Sequence, residues 1–165
     1  MRSNSSNLLM LQGHRLLQIG VALFLFASFE GFAIPFLPVP LLGRSTHSLS
    51  ALFGVMLIAL GLLWPRLNLG AAASRIAFWF LIYSGLAITA AFLIAGFWGA
   101  GKSTMPLAGA PMGTPFQEFV IAAVAYSSAP TGIISFALIL WGLRLETRPP
   151  PADRTAPQRR EEKNR

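Results

Sequence analysis

The chain contains no cysteine among its 165 residues. Disulfides, thiolate nucleophiles, thiolate-bound zinc and cysteine-bound iron–sulfur clusters are therefore excluded together. Any metal must be held by histidine, carboxylate or neutral oxygen ligands, and the sequence has only two histidines.

Charged residues are also scarce. They make up 12% of the chain, whereas 54% of the residues are hydrophobic and the mean hydropathy is +0.59. A water-soluble domain of this length cannot bury so much apolar surface. Four apolar stretches approach or exceed the roughly 20 helical residues that cross a bilayer. These stretches are residues 16–37, 47–64, 76–98 and 119–143.

These stretches predict an all-α integral membrane four-helix bundle over residues 16–144. A polar N-terminal segment, residues 1–15, precedes the bundle. Residues 145–165 are basic and rich in proline, a composition typical of a disordered tail.

The few basic residues are distributed unevenly between the two sides of the predicted bundle. Eleven lie before the first span, between the second and third spans, or after the fourth, and only Arg44 and Lys102 lie on the other side. This bias predicts that both termini are cytoplasmic and that the protein is a multi-pass protein of the cell inner membrane. The net charge of +7 is thereby explained by topology, with the lipid bilayer and not nucleic acid as the partner.

Three ionisable side chains are predicted near the outer boundary of the membrane. Glu30 lies in the outer half of the first span, His47 opens the second, and Glu118 opens the fourth. Ionisable groups within spans are costly and are therefore candidate functional residues. The structural alternatives are that Glu118 stabilises a helix N-terminus through the macrodipole and that Glu30 snorkels towards the surface.

His47 is followed by glycine seven and fourteen residues later, at Gly54 and Gly61. On a helix these residues share one narrow, flat face. Such a face allows a second helix to pack closely, with His47 at the interface. It also allows a planar macrocycle to lie along Gly54 with its metal bound by His47.

The third and fourth spans carry the remaining polar candidates. Tyr83 and Thr89 lie among apolar neighbours in the third span. In the fourth, Pro130 follows Ser127 and Ser128 and is expected to kink the helix near these hydroxyls. Tyr83 and Thr89 join Glu30 and Glu118 as candidate catalytic residues.

Several segments, in order, resemble one family of small membrane proteins. They are GHRLLQIGVALFLF, HSLSALFGVMLIALGLLWPRLNL, AFWFLIYSG, GTPFQE and LILWGLR. Together they resemble the four-helix hydroxylaminobenzene mutase family, which is itself similar to styrene oxide isomerase. The resemblance extends over roughly residues 10–145.

The resemblance implies a membrane-embedded isomerase of nitroaromatic degradation. A mutase of this kind moves the hydroxyl of hydroxylaminobenzene from nitrogen to the ortho carbon and gives 2-aminophenol. The related isomerase converts an aryl epoxide to an aldehyde and uses a haem iron at a trimer interface, with a histidine ligand that matches His47. The resemblance therefore implies a haem b held through His47, a small apolar aromatic substrate, and a homo-oligomer such as a trimer, or pairing with a sister subunit.

Three positions depart from the pattern of the isomerase. Phe53 and Ile88 stand where that enzyme has asparagines, and Phe92 stands where it has its catalytic tyrosine. The sequence therefore leaves three functions open: a mutase that uses other polar groups, a haem-dependent epoxide isomerase, or a non-catalytic membrane paralogue that partners a sister subunit.

Overall fold

The computed structural model describes the backbone of residues 2–144 and the side chains of residues 7–144. The predicted tail, residues 145–165, lies outside the described residues. Within them the chain forms four long helices and no strand, which confirms the all-α fold. The helices are α1 (Arg2–Ala33), α2 (Pro40–Leu63), α3 (Ala71–Trp98) and α4 (Pro115–Gly142).

Each helix is long and apolar enough to cross a membrane, so the chain is a multi-pass membrane protein. All four helices begin before the spans that the sequence predicted, and the difference is largest for the first two. α1 starts at Arg2, so residues 2–15 are helical, and α2 starts at Pro40. Proline is well suited to a first helical turn because the missing N–H has no intrahelical partner there. His47 therefore lies about two turns inside α2, and the prediction that it opens the helix was wrong.

The four helices pack as two hairpins. α1 packs extensively on α2 and α3 on α4, while the α2–α3 contact that joins the hairpins is smaller. Within the described residues α1 and α4 do not form a packed pair. We call the end of the molecule that carries residues 34–39 and 99–114 the loop end.

The α1–α2 hairpin is held by close approach of the two backbones. Gly13 packs against Gly61, and Gly20 against Gly54, seven residues further along each helix. A Cβ on Gly54 would lie 2.8 Å from the carbonyl oxygen of Gly20. The two helices are thus in van der Waals contact through their main chains, as small-residue stripes allow in membranes.

The α3–α4 hairpin is held by hydroxyl groups. The buried Ser135 Oγ donates a hydrogen bond to the carbonyl of Ala77 (2.8 Å), and Ser84 Oγ donates one to the carbonyl of Ser128 (2.8 Å). Pro130 lies inside α4, as the sequence predicted.

A buried polar cluster links the two hairpins at the end opposite the loop end. Gln12 Oε1 accepts hydrogen bonds from Trp64 Nε1 (3.1 Å) and from Ser74 Oγ (2.9 Å). The three residues belong to α1, to the turn after α2, and to α3. The cluster fixes how the hairpins meet and so shapes the space between α2 and α3.

Candidate functional site

A cavity of about 260 Å³ lies between α2, α3 and α4. We call it the membrane cavity, because its walls belong to the spans. It is larger than the roughly 150 Å³ apolar cavity that accommodates benzene in another protein. Its lining is mainly apolar and consists of Leu49, Leu52, Phe53, Met56, Leu81, Ser84, Gly85, Ile88, Thr89 and Phe136.

Two hydroxyl groups contribute the polar part of this lining. Thr89 Oγ1 donates to the carbonyl of Gly85 (2.8 Å), and Ser84 Oγ donates to the carbonyl of Ser128 (2.8 Å). Both protons are therefore engaged with the backbone, and each oxygen keeps lone pairs that accept hydrogen bonds. The candidate Thr89 thus lies at the cavity, together with Ser84, which the sequence did not single out as catalytic.

The three positions that depart from the isomerase pattern all face the groove between α2 and α3. Phe53 and Ile88 line the membrane cavity, and Phe92 lines a second cavity nearer the loop end. The ring of Phe53 packs directly on Gly85, so a Cβ at Gly85 would overlap it. The apolar ring of Phe53 thus occupies a position between α2 and α3 where the isomerase pattern has a polar side chain.

His47 lies against α1. Its Nδ1 is 2.9 Å from the carbonyl oxygen of Ala27, and a Cβ on Gly31 would lie 3.5 Å from the imidazole. Since a carbonyl can only accept, Nδ1 carries the proton in this hydrogen bond, which leaves the neutral ring a lone pair on Nε2. His47 is half-buried.

The two functional features of α2 occupy opposite faces of the helix. His47 points towards α1, whereas Leu49, Leu52 and Met56 line the membrane cavity. With about 3.6 residues per turn, these three lie roughly half a turn around the helix from His47. Within one chain α2 therefore separates the imidazole from the membrane cavity.

Gly54 is covered by α1, because the carbonyl of Gly20 and the backbone of Phe24 occupy its face. The glycine stripe is therefore the interface of a close-packed helix pair. The alternative prediction, a macrocycle lying along Gly54, was wrong for the single chain: there is no space for a planar ring between the two helices.

Glu30 is buried inside the helix assembly. It occupies the fourth place in a seven-residue spacing whose first three places are the buried Leu9, Leu16 and Leu23. Its side chain is 7% exposed, and neither carboxylate oxygen has a hydrogen-bond partner. The carboxylate is close enough to His47 for an electrostatic interaction. The structural alternative, that Glu30 snorkels to the surface, was wrong.

Glu118 binds the loop between α3 and α4. One carboxylate oxygen accepts from the N–H groups of Gly101 (2.9 Å) and Gly113 (2.8 Å). The other accepts from the N–H (3.1 Å) and the hydroxyl of Ser103. Both oxygens are thus engaged by the loop, and Glu118 is not part of the membrane cavity lining.

Tyr83 faces α4. Its hydroxyl is 2.8 Å from Ser127 Oγ, which donates in turn to the carbonyl of Val124 (2.9 Å). Tyr83 is therefore the donor in this pair. Its side chain is 48% exposed and does not line the membrane cavity.

The structure thus brings Glu30 and His47 together at the α1–α2 interface and places Thr89 at the membrane cavity. It keeps Tyr83 and Glu118 apart from both. Within the described part of the chain, no three His, Asp or Glu side chains cluster in a way that would hold a metal ion.

Comparisons with known proteins agree with this architecture. The sequence model of the styrene oxide isomerase family matches residues 12–144. The chain is 47% identical to hydroxylaminobenzene mutase HabB of Ectopseudomonas oleovorans over 131 residues, which cover 79% of this chain and 80% of that protein. It is 34% identical to hydroxylaminobenzene mutase HabA of the same organism over 125 residues, or 75% and 93% of the two chains.

No solved structure matches the chain. The family match extends over all four membrane helices, and both relatives align over three quarters or more of this chain. The chain therefore belongs to the styrene oxide isomerase family, and as an enzyme it is an isomerase or mutase.

Proposed function

We propose that the protein rearranges hydroxylaminobenzene to 2-aminophenol inside the membrane. The observation that carries the proposal is the membrane cavity, which combines room for one aromatic ring with the hydroxyl acceptors of Ser84 and Thr89. The names of the two mutase relatives support the substrate. Neither relative bears a name that favours an epoxide isomerase or a non-catalytic partner.

The proposed reaction is an isomerisation in which no atom is lost. The N–O bond of the substrate breaks and a C–O bond forms at the ortho carbon. That carbon then loses its hydrogen as a proton, and the nitrogen gains one proton and becomes an amino group. Substrate and product have the same composition, so neither an oxidant nor a reductant is needed.

The residues of the cavity bind and orient the substrate. The apolar walls hold the ring and exclude water, which would otherwise compete with the migrating oxygen for the ring carbon. The Ser84 and Thr89 oxygens accept hydrogen bonds from the N–H or O–H of the substrate and fix the side group relative to the ortho carbon. Glu30, Tyr83 and Glu118 have no place in this binding step because they lie outside the cavity.

His47 is the residue of this chain that would hold a haem iron, through Nε2. Its Nδ1–H is held by the carbonyl of Ala27, which orients the ring and leaves Nε2 for a metal. A haem iron bound there would act as a Lewis acid that polarises an N–O or C–O bond. Phe53 cannot serve as a second ligand, because its ring is apolar and packs on Gly85.

We also propose that the protein assembles as a homo-oligomer, such as a trimer, or with a sister subunit. The separation of His47 from the membrane cavity by α2 supports this, since the two could act on one substrate only if a neighbouring copy supplied one of them. The positive-inside bias supports the inner membrane, with both termini in the cytoplasm.

The function is tested with membranes from expressing cells, supplied anaerobically with hydroxylaminobenzene. We expect 2-aminophenol to form well above the rate of control membranes. Substrate decay at the control rate alone would refute the proposal.

The role of the membrane cavity is tested with two variants, each of which replaces an isoleucine by tryptophan. Ile88→Trp fills the membrane cavity and is expected to lower kcat/KM by about tenfold or more. Ile133→Trp places the same side chain on a 70% exposed position of α4 outside the cavity and is expected to leave kcat/KM unchanged. Equal losses in both variants would show that the reaction occurs elsewhere.

A further inference from the structure

A groove of about 400 Å³ lies between α3 and α4 at the end of the bundle opposite the loop end. We call it the terminal groove. It shares no lining residue with the membrane cavity. Its lining consists of Asn68, Leu69, Gly70, Ala73, Ala137, Leu138 and Trp141.

The terminal groove exists because small residues stand where α3 begins and where α4 ends. A Cβ on Gly70 would meet nothing within 4 Å, and Ala73 and Ala137 line the groove from the two facing helices. Towards the membrane centre, the hydrogen bond from Ser135 Oγ to the carbonyl of Ala77 joins the helices and closes the groove. Ala137 is exposed, so the groove opens sideways to the bilayer.

The walls of the terminal groove are fixed. The N–H of Asn68 donates a hydrogen bond to the carbonyl of Gly142 (2.7 Å), which ties the turn between α2 and α3 to the end of α4. Leu69 packs on the same residue, since a Cβ on Gly142 would lie 2.8 Å from its side chain. The groove is therefore preformed, as binding sites usually are.

Arg144 is held at the mouth of the terminal groove. Its Nε donates to the carbonyl of Trp141 (3.0 Å), and its guanidinium carbon lies 3.2 Å from the centroid of the Trp141 ring. The terminal nitrogens of the guanidinium can still donate to an anion. The acidic residues in the described part of the chain, Glu30 and Glu118, both lie towards the loop end, so neither neutralises this charge.

These features distinguish between occupants. Apolar walls that open to the bilayer are covered by a hydrocarbon chain, whereas a free phosphate ion would leave them empty. The unneutralised guanidinium of Arg144 favours a head group with a net negative charge. A zwitterionic head group carries its own ammonium, for which the described lining offers no carboxylate. Basic pockets between membrane helices bind anionic head groups in this way.

We propose that the terminal groove binds one anionic phospholipid of the phosphatidylglycerol type. Its phosphate accepts hydrogen bonds from Arg144, at the level where tryptophan rings such as that of Trp141 lie in membranes. The first part of an acyl chain packs against Ala73, Ala137 and Leu138. This site is independent of the proposed reaction, because it shares no residue with the membrane cavity.

The test is native mass spectrometry of the full chain in mild detergent, titrated separately with dioleoyl phosphatidylglycerol and dioleoyl phosphatidylcholine. We expect the first phosphatidylglycerol to bind about tenfold more tightly than phosphatidylcholine. Arg144→Gln should lower the affinity for phosphatidylglycerol about tenfold, as expected for the loss of a charge-assisted hydrogen bond. The affinity for phosphatidylcholine should stay unchanged.

Three further variants control the result. Arg75→Gln removes the same charge from an exposed residue about half a turn around α3 from Ala73, and should change the affinity for phosphatidylglycerol less than about twofold. Ala137→Trp fills the groove from an exposed position and should abolish the preference for phosphatidylglycerol. Ala123→Trp makes the same change at an exposed position of α4 outside the groove, and should preserve the preference.

The outcomes decide whether the terminal groove is a lipid site. Equal losses in Arg144→Gln and Arg75→Gln would show a general attraction to the basic end of the bundle and would overturn the site. Phosphatidylglycerol binding that Ala137→Trp leaves unchanged would show that the lipid binds elsewhere or that another segment of the chain fills the groove. Equal affinities of the unaltered protein for the two lipids would also overturn the proposal.

Discussion

The two hairpins are both antiparallel pairs of apolar helices, yet they are held together differently. In the α1–α2 hairpin, Gly20 and Gly54 bring the main chains into contact. In the α3–α4 hairpin, Ser84 and Ser135 donate hydrogen bonds to carbonyls of the other helix. The first pair depends on the absence of side chains, and the second on the presence of particular ones.

The difference relates to where the cavities lie. The glycine contacts bring α1 and α2 close together, and of the polar groups at this interface Glu30 is buried and His47 is half-buried. The membrane cavity forms instead where the hairpins meet, along the smaller α2–α3 contact. A tight hairpin on one side and a hydroxyl-linked hairpin on the other thus give the cavity fixed walls.

The largest expected effect comes from adding one methyl group to the tight hairpin. In Gly54→Ala the new Cβ would lie 2.8 Å from the Gly20 carbonyl oxygen, and backbone cannot yield without separating the helices. We expect a loss of about 3 kcal/mol in unfolding free energy, at the upper end of the usual cost of overpacking. Stability is measured by reversible unfolding in mixed detergent.

Gly96→Ala is the matched control for this change. Its Cβ would meet Leu42 at 3.5 Å, an ordinary contact, and alanine favours the helix more than glycine does. We expect no loss of stability. Equal losses in Gly54→Ala and Gly96→Ala would show that close backbone approach does not hold the α1–α2 hairpin.

A smaller effect is expected from a change in the hydrogen bonds that hold the loop between α3 and α4. Glu118→Ala removes four hydrogen bonds from the loop, and should ease local opening by about 2 kcal/mol, or roughly 30-fold. Lys102 lies in this loop, so tryptic cleavage after it should accelerate by a similar factor. Cleavage of Glu118→Ala at the rate of the unaltered protein would show that the carboxylate does not hold the loop.

The smallest effect is expected from a single interhelical hydrogen bond. Ser135→Ala removes the donor to the carbonyl of Ala77, and such bonds contribute about 0.6 kcal/mol on average within membranes. Unfolding in mixed detergent should show a loss of that order, with the exposed Ser48→Ala as the control. A loss as large as that of Gly54→Ala would show that the two hairpins do not differ in how they are held together.

The tight hairpin could be predicted in part from the sequence, because glycines at seven-residue spacing are visible without a partner. The burial of Glu30 could not be predicted. Its seven-residue spacing from Leu9, Leu16 and Leu23 indicates burial only once these leucines are known to face the interior. The hydrogen-bond partners of Glu118 could not be predicted either. Most of them are main-chain N–H groups of a glycine-rich loop, and the direction of such groups cannot be read from the sequence.

The membrane cavity was the least predictable part of the site. Thr89 was predicted as a candidate catalytic residue, whereas Ser84, a polar residue of the same span, was not. Gly85 is informative only together with Phe53, whose ring needs the missing Cβ. A cavity depends on which faces of α2 and α3 meet, and this register follows from long-range packing.

In the proposed function, the oxygen of the substrate moves from nitrogen to carbon within the membrane cavity. It is tested most directly by supplying the purified protein anaerobically with hydroxylaminobenzene in water enriched in oxygen-18. We expect 2-aminophenol that contains the original oxygen and no label from water. Label in the product, or formation of 4-aminophenol in its place, would show that water reaches the ring and would contradict the proposed function.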